Sequence, residues 1–163
     1  MKLYYDTFST PFGPFCVAVD ESGAVVATTF GDDQALRHRL SADELVHQSE
    51  LAAAARGEIT EFLRGKRRDF TVRIAPRGTD FQKRVWSALR RIPFGQTRSY
   101  GELAAEVGNP KASRAVGRAN ATNPVCPIVP CHRCIGADGS LTGFGYGEAM
   151  KRRLLDLEGA VYG

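Results

Sequence analysis

The pattern of the chain changes near Pro76-Arg77-Gly78, and this change constrains the fold more than any other feature. Before it, short runs alternate polar and apolar residues between turns, whereas after it apolar residues recur at helical spacing. A chain of 163 residues has room for one ordinary domain or for two small ones. We therefore predict an α+β protein with an N-terminal domain over residues 1–76 and a C-terminal domain over residues 77–163.

The N-terminal part has the pattern of a small antiparallel sheet with helices. Three runs have the composition or the alternation of strands: residues 2–8, 15–19 and 24–30. Because short turns join them, we predict a three-stranded antiparallel meander. Further elements are predicted as helices over residues 33–40 and 50–63 and a strand over residues 69–75.

The C-terminal part is predicted to be mostly helical. Thr79 or Asp80 can cap a first helix, and Ser99 can cap a second helix over residues 100–107. A turn then leads to a third helix over residues 111–121, and a last helix is predicted over residues 148–158. Two short helices joined by a glycine-containing turn are typical of a helix-turn-helix, whose second helix can enter a DNA groove.

Charge and hydropathy limit the location and the partners. The net charge of +4 is compatible with nucleic-acid binding but does not require it. No apolar run approaches the roughly 18 residues that span a bilayer, and the N-terminus lacks the apolar core of a signal peptide. We expect a cytoplasmic protein with no membrane partner, or a nuclear one in a eukaryote.

The third helix is basic and carries small side chains. Lys111, Arg114 and Arg118 could neutralise phosphates, while small neighbours would let the helix sit close to a nucleic-acid backbone. A long side chain such as Arg114 could also fill the gap that an extruded base leaves in a duplex. The alternative is an ordinary solvated helix face, and the pattern alone does not decide between them.

Cys131 is followed directly by His132, and three interpretations of this thiol are open. It could be a nucleophile activated through His132, a redox partner of Cys134 at C-x-x-C spacing, or an inert buried thiol. If Cys131 is a nucleophile activated through His132, a carboxylate would be needed to orient the imidazole. Three acids near the C-terminus are candidates. They are Glu148, Asp156 and Glu158.

Several short motifs then follow one another in a specific order. They are Phe94-Gly95-Gln96-Thr97-Arg98-Ser99-Tyr100-Gly101, Asn109-Pro110-Lys111-Ala112-Ser113-Arg114-Ala115-Val116-Gly117, Asn123-Pro124, Ile128-Val129-Pro130-Cys131-His132-Arg133, Gly139-Ser140-Leu141-Thr142-Gly143-Phe144, and Lys151 with Leu154-Leu155 ahead of Glu158-Gly159. In this order they strongly resemble the O6-alkylguanine-DNA alkyltransferases (methylated-DNA–protein-cysteine methyltransferases). The resemblance is dense over about residues 79–159 and only general before them.

The resemblance implies a role for each domain. The N-terminal domain would be a ribonuclease H-like brace. The C-terminal domain, with a winged-helix-like helix-turn-helix, would bind DNA and accept the alkyl group. The implied reaction is DNA repair by direct transfer of an alkyl group, such as methyl, from O6-alkylguanine in duplex DNA to the protein. O4-alkylthymine would be a poorer substrate.

The resemblance also implies the catalytic residues. Cys131 would accept the alkyl group, His132 would act as base through a water, and Glu158 would hold the imidazole tautomer. Asn123 would organise the turn that positions Cys131. The thioether product has no easy exchange route back to the thiol, so each chain would act once.

The DNA contacts implied by the resemblance centre on the third helix, which would enter the minor groove. Arg114 would replace the flipped guanine in the stack, and Tyr100 would lie beside the rotated phosphate. The other implied DNA-binding residues are Lys111, Ser113, Ala115, Gly117 and Arg118.

The flipped base would enter a pocket of residues that the resemblance also implies: Tyr100, Pro130, Cys134, Phe144, Gly145 and Tyr146. Cys134 stands where the family usually has an aliphatic residue. It is either a small apolar substitute or a partner that forms a disulfide with Cys131 on oxidation. Tyr146 stands where some members have glycine, so we expect slower reaction with benzyl than with methyl adducts.

The implied partner is double-stranded DNA that contains O6-alkylguanine, and neither a cofactor nor a metal is expected. A monomer is expected, and cooperative binding along DNA stays open. Two other functions also stay open: a non-catalytic protein that binds alkyl lesions, and a thiol-disulfide oxidoreductase that uses Cys131 and Cys134.

Overall fold

The computed structural model describes residues 1–162, and the chain divides after Arg77 into two units. The first unit is Met1–Arg77 and the second begins at Gly78. Among residues 1–162, no helix is both long enough and apolar enough to cross a membrane.

A four-stranded sheet forms the centre of the first unit. Its strands are β1 (Lys2–Thr10), β2 (Gly13–Val19), β3 (Val25–Phe30) and β4 (Glu44–His47). They lie in the order β3-β2-β1-β4. The three predicted strands pair antiparallel, as expected for a meander. The fourth strand was not predicted, and it pairs parallel with β1.

The parallel strand β4 is difficult to recognise from sequence because it is short and only half-buried. Its pairing also needs a crossover connection, which runs through helix α1 (Asp33–Arg39). Leu36 of α1 packs with Leu3 and Cys16 in the core of the unit, and Leu45 of β4 packs against the same cluster. The pairing of β4 with β1 therefore depends on packing of Leu45 against a core to which the crossover helix itself contributes Leu36.

The prediction of a strand over residues 69–75 is wrong, because this segment is irregular. Only Ile74 makes an isolated bridge, to Val25. The reason lies in helix α2 (Ala53–Leu63), where Glu58 is buried. Its carboxylate accepts hydrogen bonds from the backbone N–H of Thr71 at 2.8 Å and of Val72 at 3.2 Å. A side chain thus occupies backbone donors that a sheet ladder could use.

The second unit is mostly helical. Its helices are α3 (Asp80–Arg90), α4 (Tyr100–Glu106), α5 (Ser113–Ala121) and α6 (Glu148–Leu157). A 3-10 turn covers Cys131–Arg133, and two short strands, β5 (Arg98–Ser99) and β6 (Cys134–Ile135), pair in parallel. Reciprocal capping boxes of Thr79 with Gln82 and of Ser99 with Glu102 begin α3 and α4, at residues the sequence marks as caps.

Helices α4 and α5 form the helix-turn-helix, and α3 supports it. The indole Nε1–H of buried Trp86 in α3 donates a hydrogen bond to the Ala119 carbonyl of α5 at 2.8 Å. Helix α5 begins at Ser113 rather than at the predicted Lys111, since the Ala112 N–H bonds to the Asn109 carbonyl and so extends the turn. The predicted α+β class is confirmed.

Candidate active site

Asn123 organises the loop that leads to Cys131. Its Nδ2 donates to the Val129 carbonyl at 2.8 Å, and its Oδ1 accepts from the Val125 N–H at 3.1 Å. A backbone bond from Val129 to Val125 closes the same loop. The side chain is 6% exposed, so both bonds are formed away from solvent. The loop consequently folds back on itself and brings Cys126 to Cys131.

Cys131 opens the 3-10 turn and is 4% exposed. Its thiol lies within hydrogen-bonding reach of the Cys126 thiol, and that hydrogen bond is the main cause that lowers the pKa of Cys131. Burial opposes this effect, while a hydrogen bond from Asn123 and the positive charge of Lys151 add to it. The site therefore favours a thiolate in a place where burial alone would suppress one.

His132 is fully buried and points to Glu158. Its Nε2 lies 2.7 Å from Glu158 Oε2. Burial lowers the pKa of His132, and Glu158 offsets only part of that effect. The imidazole is therefore neutral near neutral pH, with its Nε2–H directed at the carboxylate. In this tautomer, Nδ1 carries the lone pair that can take a proton.

Glu158 is held by more than the imidazole. Arg133 donates to both carboxylate oxygens, with Nε 2.9 Å from Oε1 and Nη2 2.8 Å from Oε2. The Gly95 N–H, at a positive φ of 81°, donates to Oε1 at 3.1 Å. Burial raises the pKa of Glu158, but the hydrogen bonds from His132 and Arg133 and the positive charge of Arg133 outweigh it and bring the pKa to about 2.

Of the three acids that the sequence left open, Glu158 is the one beside His132. Glu148 and Asp156 are exposed, and Asp156 accepts a hydrogen bond from the Tyr162 hydroxyl at 2.8 Å. The fold separates the three because Glu158 comes directly after α6, where the chain turns inward, while the other two lie on the outer face of the helix.

Lys151 is a member of the site to which the sequence analysis assigned no role. It is fully buried, and its Nζ has no hydrogen-bond partner among residues 1–162. The Nζ lies 6.0 Å from the ring centre of Tyr100 and 5.9 Å from that of Phe144. Burial lowers its pKa, an effect that the nearby thiols Cys134 and Cys131 oppose. One signal was available, because Lys151 precedes Leu154 and Leu155 by helical spacing and so shares their buried face.

Among the residues predicted for the base pocket, Tyr100 is half-buried. Its hydroxyl donates to the Thr142 carbonyl at 3.0 Å, and burial raises its pKa to about 12. Phe144 is buried and meets half-buried Tyr146 edge to face at 5.6 Å. Cys134 is buried, which raises its pKa to about 12, so its thiol stays protonated. Pro130 is buried and Gly145 is exposed.

The residues predicted to bind DNA lie on or just before α5. Lys111, Arg114 and Arg118 are exposed, and none of them forms an ion pair within residues 1–162. Gly117 faces Tyr100, where an added Cβ would lie 3.9 Å from the ring. The smaller members of the set, Ser113 and Ala115, are half-exposed beside these basic side chains.

No three His, Cys, Asp or Glu side chains in the described part of the chain form a group that could hold a metal ion. The four cysteines, Cys16, Cys126, Cys131 and Cys134, are all buried free thiols. The site holds a thiol with a lowered pKa, and the next residue in the chain is a neutral imidazole that Glu158 orients. This combination suits nucleophilic attack by sulfur.

Two family models match the chain. Residues 80–160 match the DNA-binding domain of 6-O-methylguanine DNA methyltransferase. Residues 3–76 match the ribonuclease-like domain of the same family. Together the two models cover most of the chain, and each falls within one of the two units.

Named relatives align over nearly the whole chain. A methylated-DNA–protein-cysteine methyltransferase of Methanosarcina acetivorans is 45% identical over 97% of this chain and 99% of its own length. A protein of the same name from Mycobacterium bovis is 43% identical over 96% of this chain and 92% of its own.

Solved structures agree with these alignments. The O6-methylguanine methyltransferase of Mycobacterium tuberculosis matches with a TM-score of 0.85 and 41% identity, over 96% of this chain and 93% of that one. A structure of the same organism's OGT in complex with DNA matches with a TM-score of 0.82 and 40% identity, over 96% of this chain and 92% of that one. The protein described here belongs to the 6-O-methylguanine DNA methyltransferase family.

Proposed function

We propose that this protein repairs DNA by moving an alkyl group from O6-alkylguanine in duplex DNA to Cys131. The observation that carries the proposal is the Cys131 thiol, which is buried and yet has a lowered pKa. An inert buried thiol would have a raised pKa, as Cys134 does. The match of residues 80–160 to the DNA-binding family domain, and the similar OGT that was solved in complex with DNA, support DNA as the partner.

The proposed reaction is one in-line displacement. The Cys131 sulfur attacks the alkyl carbon, a C–S bond forms, and the bond between that carbon and guanine O6 breaks. The thiol proton passes to His132 Nδ1 through a water, and a proton returned to the guanine base completes the exchange. Glu158 stabilises the imidazolium that forms meanwhile, since its carboxylate, with a pKa of about 2, stays ionised at neutral pH.

The guanine must leave the stack before it can reach a buried thiol. Helix α5 would bind in the minor groove, where Lys111 and Arg118 neutralise phosphates and Arg114 replaces the extruded base. Tyr100 would lie between this helix and the base pocket, beside the phosphate that rotates outward. Its position near Gly117 supports that role.

The base pocket would consist of the backbone around Cys134 and Gly145 with the rings of Tyr100, Phe144 and Tyr146. O4-alkylthymine would fit it less well, and Tyr146 would restrict larger alkyl groups. The protein would act as a monomer in the compartment that holds the DNA, with residues 1–76 as a brace. Its product is a thioether, so the protein acts once and is consumed.

A mass measurement tests the proposal. The protein is incubated with duplex DNA that carries O6-methylguanine, and its peptides are weighed. We expect one methyl group on Cys131 and none on Cys16, Cys126 or Cys134. Cys131→Ser should bind the same duplex without gaining mass. An unmodified duplex is the matched control for the substrate.

Other outcomes would contradict the proposal. Retention of the duplex by the unmodified protein without mass gain would identify a non-catalytic lesion-binding protein. No mass gain and no binding, together with a Cys131–Cys134 disulfide that exchanges with small thiols, would identify an oxidoreductase.

A further inference from the structure

A second thiol, that of Cys126, lies within hydrogen-bonding reach of the Cys131 thiol, and the mechanism above does not use it. Cys126 is 1% exposed and Cys131 is 4% exposed. The loop closed by Asn123 brings them together, through its bonds to Val125 and Val129. Cys131 is thus not a single buried thiol but one member of a buried pair.

We propose that Cys126 is a positioning residue that donates its S–H to the Cys131 sulfur and so favours the Cys131 thiolate. Only the identity of the substrate that Cys131 then attacks rests on the proposed function. The inference about the thiol pair stands on the loop geometry and on the burial of the two sulfurs.

The direction of the hydrogen bond follows from the surroundings of the two sulfurs. Two adjacent thiolates would repel each other in a buried site, so ionisation of one thiol suppresses that of the other and the pair carries at most one negative charge. Cys131 has two further stabilising neighbours, the Asn123 amide and the Lys151 side chain. Burial raises the pKa of Cys126 well above its usual value, and its contact with Cys131 raises it further. Cys126 is therefore the donor and Cys131 the acceptor.

Such a hydrogen bond has two opposing effects on rate. A thiol is a weak donor, so the bond is worth about a tenfold change in the ratio of thiolate to thiol. A stabilised thiolate is also a weaker nucleophile, by about threefold for each tenfold gain in acidity. The net benefit of Cys126 is thus about threefold at neutral pH. At high pH, where Cys131 is ionised in any case, the bond slows the reaction.

The test compares Cys126→Ala with the unchanged protein over a range of pH. The ultraviolet absorbance of the thiolate, read against the corresponding Cys131→Ser background, reports ionisation of Cys131 without DNA. Single-turnover transfer from O6-methylguanine duplex reports the rate. We expect the absorbance midpoint of Cys126→Ala to move to higher pH. Its transfer rate should be about threefold lower at neutral pH and higher than normal in alkali, so that the two pH profiles cross.

Two further variants make the test specific. Cys126→Ser keeps a buried hydrogen-bond donor, so its absorbance midpoint should equal that of the unchanged protein or lie at lower pH. This variant also tests the inference if Cys126→Ala does not fold. Cys16→Ala removes an equally buried thiol from the first unit and should leave both profiles unchanged.

An unchanged midpoint in Cys126→Ala, a raised midpoint in Cys126→Ser, or a rate that falls equally at every pH would overturn the inference. If the unchanged protein shows no transfer at all, the proposed function fails, while the absorbance titration still decides the role of Cys126.

Discussion

Glu158 illustrates, at the scale of one residue, how a buried charge can be stable. Its carboxylate has no exposed surface and accepts hydrogen bonds from His132, Arg133 and the Gly95 N–H. Because Arg133 is buried too, removing the negative charge would leave a positive one without compensation.

We predict that Glu158→Gln lowers the free energy of unfolding by about 3 to 5 kcal/mol at neutral pH. Because folding depresses the pKa of Glu158 to about 2, its contribution is complete above the model-peptide value of 4.5 and is lost as pH falls toward 2. The difference between the two proteins in urea unfolding should shrink over that window. Glu148→Gln, on the exposed side of α6, should change stability by less than about 1 kcal/mol at any pH. A difference that does not depend on pH would contradict this account.

Asn120 presents the opposite case. It is 1% exposed, and neither polar atom of its side chain has a hydrogen-bond partner among residues 1–162. A buried amide without partners costs about 1 to 3 kcal/mol, so we predict that Asn120→Leu stabilises the fold by an amount of this order. Asn123→Leu, which removes an amide with two hydrogen bonds, should destabilise it. Urea unfolding measures both, and a less stable Asn120→Leu protein would show that the amide is bound, for example by an ordered water.

At the scale of elements, α5 has one face buried in the core and an opposite face that is exposed and basic. Val116 and Ala119 are buried, and the Ala119 carbonyl is tied to Trp86 of α3. The opposite face carries exposed Arg114 and Arg118 around the half-exposed Gly117. Glycine inside a helix costs about 0.5 to 1 kcal/mol relative to alanine, which suggests that Gly117 serves close approach rather than stability.

We predict that Gly117→Ala makes the fold more stable by about 0.5 to 1 kcal/mol and weakens duplex binding. The added methyl fits beside Tyr100 at 3.9 Å, an ordinary contact, but would hold the helix away from the DNA backbone. Unfolding in urea and binding to an unmodified duplex measure the two effects. Gly57→Ala in α2, where the methyl meets nothing within 4 Å, should give the stability without the loss of binding. Equal binding by both variants would argue against α5 as the DNA-contacting helix.

At the scale of the whole molecule, the net charge of +4 is too small to explain nucleic-acid binding by itself. What matters is where the uncompensated charges lie. Many basic side chains of the first unit are paired with acids, for example Arg56 with Asp6 and Arg77 with Asp43. Within residues 1–162, Lys111, Arg114 and Arg118 form no ion pair, and all three are exposed on or just before α5.

We predict that position, rather than total charge, sets the salt dependence of DNA binding. Arg118→Ala and Lys66→Ala each lower the net charge from +4 to +3, and both side chains are exposed. Only Arg118→Ala should reduce the slope of log affinity against log salt concentration, by about 0.9 for one lost phosphate contact. Binding to an unmodified duplex at several salt concentrations measures both slopes. The same slope for the two variants would remove the argument for a basic interface on α5.

Local sequence was sufficient to predict most of the helices and strands. The caps Thr79 and Ser99 begin helices as predicted, and the three-strand meander and the helix-turn-helix follow from periodicity and turns. These features depend on interactions between residues a few positions apart, which a sequence displays directly. Strand β4 and the irregular segment 69–75 were not predictable in the same way. Their hydrogen bonds go to β1 and to Glu58, which are distant in the chain.

For the candidate site, the sequence by itself identified Cys131, His132 and the basic helix, because those residue types are adjacent or spaced by one helical turn. The residue pattern left three acids open and the family resemblance implied Glu158, which the tertiary structure places beside His132. Only the tertiary structure brought Cys126 and Lys151 to Cys131. The physical reason is that the pKa of a thiol depends on which charges, donors and buried surfaces surround it in space. The sequence singles out Cys131 as the candidate nucleophile, and the fold decides which donors and charges surround its sulfur and lower its pKa.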